Sequence, residues 1–329
     1  MNEIKRSKKL LKAAFAVLFR EKKLLLFPVI STVLAAIVAI FFIAPIAFYP
    51  TGHSLFSTAH WSALAEMFTR NMDPAEHRAA HQPMLVSQYG FALFFSEHWW
   101  VALLFAFAYF TSMFLATFCN VAFYHEIMQA LGGDTVSIRR GFRFAAARWR
   151  TVLLWSLFAG LVGYLIQVVQ ERLGFFGRIV TGLIGFVWSV ACIFIIPTLV
   201  RDTESKSPIR LLQNSVGTLR RTWGETIVGF VGIQLFAFLS MSMLIIGILL
   251  CFGIPMVVLS HPGSGFKISH FMYYEAGIPA LFVIVATLLS FLGGLLNAIY
   301  RCALYIYATE GVVPGTFDKE LLDSAWKIK

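Results

Sequence analysis

The chain has 329 residues, of which 58% are hydrophobic and 13% charged, with a mean hydropathy of +0.75 and a formal net charge of +10. A water-soluble protein of this length could not cover so much apolar surface, so its solvent has to be lipid. The basic residues sit in short segments between apolar runs, which assigns them to membrane orientation and lipid contact and not to nucleic acid.

Taken in chain order, 1–23 is a basic segment in which Leu11, Ala14, Phe15, Leu18 and Phe19 mark an apolar stripe at helical spacing. It reads as an interfacial helix. The first transmembrane span (TM1, 24–49) is too long for a signal-peptide core and has no small-residue cleavage site after it, so it reads as a retained anchor. A long polar outer connection occupies 50–98, with a helix start at Asp73 and Pro74. Trp99 and Trp100 mark a headgroup boundary, and TM2 follows over 99–124.

A second interfacial helix spans 137–150. Ser137 suits its cap, and Ile138, Phe142, Ala145 and Trp149 line one side among Arg139, Arg140, Arg143, Arg148 and Arg150. TM3 (151–170) and TM4 (179–200) are joined by a short glycine-bearing link, the mark of a tight hairpin. The third interfacial helix, 207–225, opens on Ser207 and Pro208. It draws a stripe of Ile209, Leu212, Val216, Leu219 and Trp223, with Arg210, Arg220 and Arg221 opposite. TM5 (226–259) is longer than a bilayer needs and should tilt or break near Gly253 and Pro255. TM6 runs 278–307, and an amphipathic cytoplasmic tail covers 308–329.

The fold class expected is therefore an all-α, polytopic membrane helix bundle of six spans in three hairpins, each preceded by a cytoplasmic amphipathic helix. The matching phrases at 12–24, 144–152 and 215–226 share pattern, not identity. Counting Arg301, 22 of the 27 Lys and Arg fall on the side assigned to the cytoplasm, which puts both termini inside.

The chemical motifs are weak. His77 and His81 are four apart on one helix face but lack a third ligand, so no metal is expected. His125-Glu126-Ile127-Met128-Gln129 misses the zinc-protease pattern at Gln129, and reads as a helix end at the interface. Gly263-Ser264-Gly265 near His270 lacks the strand and helix of a nucleophile elbow. The four cysteines lie in apolar runs without disulfide or zinc spacing. No catalytic residue and no cofactor is expected.

Polar residues within the spans are Asn120, Gln167, Gln234, Asn297 and Arg301, each costly in hydrocarbon. Asn297 and Arg301 share a face. They either reach the inner headgroups and a neighbouring helix, the preferred reading, or line a polar cleft. The glycine pairs 160/163, 182/185 and 229/232 suit close helix packing.

Two stretches carry a resemblance: Ile196-Pro197-Thr198-Leu199-Val200 through Ser207-Pro208-Ile209 to Arg221-Thr222-Trp223-Gly224-Glu225, and Ala303-Leu304-Tyr305-Ile306-Tyr307-Ala308-Thr309-Glu310-Gly311 with Pro314. They resemble the 6159 family of bacterial multi-pass proteins of unknown function. The arrangement is also distantly similar to the membrane domain attached to some glycerophosphodiester phosphodiesterases. The family resemblance implies a bacterial inner-membrane location and supplies no catalytic residues.

Three functions follow in order. The first is a lipid-interacting or membrane-organising protein, in which Arg139, Arg143, Arg148, Arg210, Arg220 and Arg221 hold headgroups and Trp149 and Trp223 fix depth. Its partners would be anionic phospholipids, and a homo-oligomer stays open. The second is a transporter or channel with a cleft lined by Asn120, Gln167, Gln234 and Asn297. An intramembrane enzyme comes last.

Overall fold

The structure is a computed structural model that describes residues 3–70, 99–172, 175–203, 207–221, 241–243, 245–246, 277–315 and 317. Every regular element among them is helical. Those used below are α1 (Glu3–Arg20), α2 (Leu26–Ala47), α3 (Thr58–Arg70), α4 (Trp99–Leu131), α5 (Ile138–Ala147), α6 (Trp149–Arg172), α7 (Phe175–Ala191), α8 (Ile195–Arg201), α9 (Pro208–Arg221) and α10 (Gly277–Glu310). A short 3-10 turn, Lys22–Leu25, joins α1 to α2.

The organising element is α4, on which α2, α5, α6, α8 and α10 all pack. It was expected to end at residue 124 and instead continues to Leu131. At about 1.5 Å per residue its 33 residues outrun a hydrocarbon core of roughly 30 Å. The extra turns are held by protein: Ile127, Met128, Ala130 and Leu131 are buried there.

Near the N-terminus, Ala13, Ala14, Val17 and Leu18 are buried, whereas Phe19 of the expected stripe is exposed. The buried side of α1 lies on the bundle, where α1 meets α10. Pro45 sits in the last turn of α2, which closes at Ala47. The Ala47 carbonyl lies 2.8 Å from Nε2 of buried His60, whose Nδ1 is 2.6 Å from Thr51 Oγ1. Thus α3, in a stretch expected to be mainly loop, is pinned to the end of α2.

Ser137 caps α5 as expected, its hydroxyl accepting from the Arg140 N–H at 3.5 Å. Gly141 brings α5 onto α4, since a Cβ there would stand 2.8 Å from the Ala122 carbonyl oxygen. Only Arg148 separates α5 from α6, so α6 starts at Trp149 and not at 151. Helices α6 and α7 pack on one another, and α6 runs to Arg172 and α7 starts at Phe175, where the link was expected over 171–178. Of the glycines offered for close packing, Gly160 meets the rings of Phe110 and Tyr109, whereas among the described residues nothing comes within 4 Å of a Cβ placed at Gly182.

TM4 is not one helix. The chain turns at Cys192, Ile193 and Phe194, between α7 and α8. Buried Ser215 on α9 stitches the gap, its hydroxyl donating to the Ala191 carbonyl at 2.6 Å and accepting from the Phe194 N–H at 3.3 Å. This also corrects the face of α9. The side turned into the bundle is Leu211, Ser215, Thr218 and Leu219, while Ile209 of the expected stripe is exposed.

Away from these contacts the helices are bare. Ile37, Ile40, Phe41, Leu157, Leu161, Leu183, Phe186, Val187, Ile284 and Leu288 are all exposed, an apolar belt that water would not tolerate. Five helical stretches are long and apolar enough to cross a membrane: Lys22–Pro45, Trp99–Leu131, Trp149–Gln170, Ile179–Arg201 and Val283–Glu310. The chain is a multi-pass membrane protein. Of TM5, expected at 226–259, only 241–243 and 245–246 are described, and they are helical. The tail beyond residue 317 and the helix expected at 73–82 lie outside the described residues.

Ser215→Ala should cost about 1–3 kcal/mol by orphaning a buried carbonyl and N–H. A lowered thermal unfolding midpoint in detergent would show it, and an unchanged midpoint would mean that the break satisfies its own polar groups.

Candidate functional site

The close pairs of His125 and Arg140 with Glu126, and of Arg201 with Glu310, gather at one end of the bundle, where candidate spans begin or finish. Three side chains tie that end together through carbonyls and a carboxylate. Arg20 donates to the Ala130 carbonyl near the end of α4, and Arg148 to the Leu199 carbonyl in α8. Arg201, closing α8, pairs with Glu310, closing α10, at 3.0 Å.

Glu126 lies deepest. Its side chain has no solvent exposure, and one carboxylate oxygen accepts from the Ser137 N–H and from Arg140 Nη2, each at 2.7 Å. The other accepts from Arg140 Nε at 2.9 Å, with His125 Nδ1 at 3.1 Å. This is a two-pronged guanidinium–carboxylate pair, the strongest kind of side-chain hydrogen bonding. The carboxylate beside it pushes the Arg140 guanidinium above its ordinary value. Glu21 accepts from the adjacent Val136 N–H at 3.1 Å, so two carboxylates grip the turn from α4 to α5. His125 is stacked on Phe144 with ring centres 4.0 Å apart. The pair His125–Glu126, expected at a helix end by the interface, is therefore inside protein. Sequence reading missed the role of Glu126 because α4 was expected to end at residue 124, seven residues short of Leu131. The usable signal was a carboxylate bracketed by buried-type residues with an arginine 14 positions on.

The headgroup candidates divide. Arg139, Arg143, Arg210, Arg220 and Arg221 are exposed, as is Trp149. Arg148 is half-buried, stacked 5.1 Å over the Phe144 ring, and burial lowers its pKa from the ordinary arginine value. Its guanidinium is turned to the α8 carbonyls. Trp223 lies outside the described residues, as do His77, His81 and Gln234.

The intramembrane polar residues are not brought to one place. Asn120 lines a cavity of about 320 Å³ between α2, α4 and α10, together with Ser31, Thr32, Cys119 and Ser290. Asn297 accepts from Arg301 Nε at 3.0 Å along α10 and is not in that lining. Gln167 is exposed on α6.

A second hollow, of about 460 Å³, opens where α8, α9 and α10 meet. Arg201, Asp202, Arg221 and Glu310 supply its charges, with Gln213, Asn214 and Thr309 among its polar lining. Asp202 accepts from the Asn214 amide at 2.8 Å.

A family model described as a family of unknown function, DUF6159, matches residues 98–315, well over half of the 329-residue chain. The chain belongs to DUF6159. The matched DUF6159 segment opens one residue before α4 and closes after α10, so it contains Glu126, Arg140 and the whole lining of the second hollow, and leaves α1 to α3, with the α2 wall of the first cavity, outside. No curated protein and no solved structure matches the chain.

The two partners of the buried pair should not be equivalent. Arg140→Gln strands a fully buried carboxylate and should cost about 3–5 kcal/mol. Glu126→Gln leaves a guanidinium whose side chain is 35% exposed and can turn to water, and should cost less, about 1–3 kcal/mol. Glu126→Gln/Arg140→Gln should be more stable than Arg140→Gln alone in thermal unfolding. A double variant no better than that single one would show that the charge on Glu126 is not what the arginine holds.

Proposed function

We propose that this protein is a lipid-interacting, membrane-organising protein of the bacterial inner membrane that engages anionic phospholipids from the cytoplasmic leaflet. The observation that carries the reading is the exposure of Arg139, Arg143, Arg210, Arg220 and Arg221 at the bundle end where the apolar belt stops. Headgroups lie at that depth, and each arginine near an anionic surface adds about 1 kcal/mol. Exposed Trp149 beside Arg150 suits the boundary between acyl chains and headgroups. On this reading 226–259 is the sixth span, both termini face the cytoplasm, and each hairpin follows a basic helix. The protein has no catalytic role. Arg148 belongs to the bundle end and not to the lipid contact, because its guanidinium is already spent on carbonyls.

Replacing Arg139, Arg143, Arg210 and Arg220 together with glutamine should reduce anionic lipid retained in native mass spectrometry by tenfold or more, with the loss smaller at high salt. Unchanged retention would sink the reading. Orientation has its own test: cysteines placed at 143 and 210 in inverted membrane vesicles should react with an impermeant thiol reagent. Protection there, with reaction in right-side-out cells, would reverse the topology.

Transport is the second reading, favoured by the 320 Å³ cavity with its hydroxyls and the Asn120 amide at membrane depth. A water-borne thiol reagent should label Asn120→Cys if the cavity is a wet path, and a protected residue 120 counts against a pore.

A further inference from the structure

The hollow between α8, α9 and α10 has a charge pattern that a bare anion does not match. Two guanidiniums, Arg201 and Arg221, face two carboxylates, Asp202 and Glu310, within one cavity of about 460 Å³. That volume falls within the range of small-molecule pockets, roughly 300 to 1,000 Å³. The charges cancel, so a lone phosphate would gain from the arginines and lose to the acids. A ligand with both charges would gain from all four.

Position narrows the ligand further. Arg201 and Glu310 are the last residues of two candidate spans, Ile179–Arg201 and Val283–Glu310, so the hollow sits at headgroup depth. The carboxyl ends of α8 and α10 meet there, and the negative end of a helix dipole favours a cation. Arg221, in the last turn of α9, has no hydrogen bond or ion pair among the described residues, and so has its donors available. The Arg201–Glu310 pair already in place is an exposed one, with side chains 44% and 38% accessible. Such pairs hold weakly and exchange partners readily. Gln213, exposed on the rim, adds an amide that can donate to phosphoryl oxygen.

We propose that this hollow is a binding site for a zwitterionic phosphoethanolamine group, with the phosphate on Arg221 and Arg201 and the ammonium on Asp202 and Glu310. The site deepens the lipid-interacting reading, adding one stoichiometric headgroup to a diffuse anionic surface. The same chemistry is carried by phosphatidylethanolamine in the bilayer and by free O-phosphoethanolamine in solution.

The experiment uses the full chain in nanodiscs of phosphatidylethanolamine and phosphatidylglycerol, released into native mass spectrometry. One phosphatidylethanolamine per chain should survive activation. Arg221→Gln and Asp202→Asn should each lower its retention at least fivefold, and Arg221→Lys should restore part of it. All variants should stay folded with a thermal midpoint near wild type, since Arg221 is exposed and Asp202→Asn keeps an oxygen that can accept from Asn214.

A lipid-free sample titrated with O-phosphoethanolamine forms the second arm. Binding there, lost in the same variants and without retained lipid, would make the ligand soluble and keep the chemistry. Retention of phosphatidylglycerol equal to that of phosphatidylethanolamine, no adduct in either arm, or equal adducts in wild type and both loss variants would overturn the site. The four-arginine surface variant separates the two ideas, because it should lose annular phosphatidylglycerol and keep the single phosphatidylethanolamine. The reverse outcome, with Arg221→Gln silent, would leave the surface reading standing alone.

Discussion

A carboxylate without water must find its donors in protein, and much of this structure's basic end follows from where Glu126 finds them. The group is closed off completely, and its oxygens are met by the Arg140 guanidinium and the Ser137 N–H. Meeting those donors requires the chain to reverse after Leu131 and lay α5 back along α4. Gly141 makes that approach feasible, because a side chain there would collide with the Ala122 carbonyl. From α5 the path continues through Arg148, which ties the start of α6 to α8. A buried pair of this kind contributes little net stability against a well-packed apolar alternative, yet breaking one partner is costly. Its effect is to specify one arrangement of the helices.

The molecule consequently has two zones with different solvents. In the apolar zone the outward side chains of α2, α6, α7 and α10 are exposed, and packing is confined to narrow seams such as Gly160 against Phe110. At the basic end, protein replaces lipid around α4, and carbonyls freed by helix ends and by the break after Ala191 are taken up by Arg20, Arg148 and Ser215. Backbone irregularity at membrane depth is tolerated only where protein satisfies it. The charge-balanced hollow at the ends of α8 and α10 belongs to this second zone, where two candidate spans finish.

Much of the candidate site was legible in residues, and less of it in geometry. The arginines of α5 and α9 were recognised from their spacing, and five of those named are exposed. Arg148 was grouped with them because periodicity counts a residue's position on a helix, while the helix stops before it. On α9 the stripe drawn through large apolar residues was offset from the side that is buried: Leu219 is shared, Ile209 is exposed, and Leu211, Ser215 and Thr218 complete the buried face. A hydroxyl looks polar in sequence, and nothing local reveals that a broken helix 24 residues earlier needs it. Asn297 and Arg301 were placed correctly on one face, since i and i+4 are neighbours on any helix.

What the sequence determined by itself was the solvent and the helical class, since both depend on local quantities: a mean hydropathy of +0.75, apolar runs long enough to cross a bilayer, and basic residues confined between them. The family was also readable there, from phrases around Pro197 and Tyr305. Tertiary structure decided which polar groups meet. Glu126 with Arg140, Ser215 with the gap after Ala191, and Arg201 with Glu310 are pairings across 14, 24 and 109 positions. Helical periodicity correlates residues a few positions apart and says nothing at such separations. The partner of a buried charge is set by which helices pack, and that is a property of the whole chain.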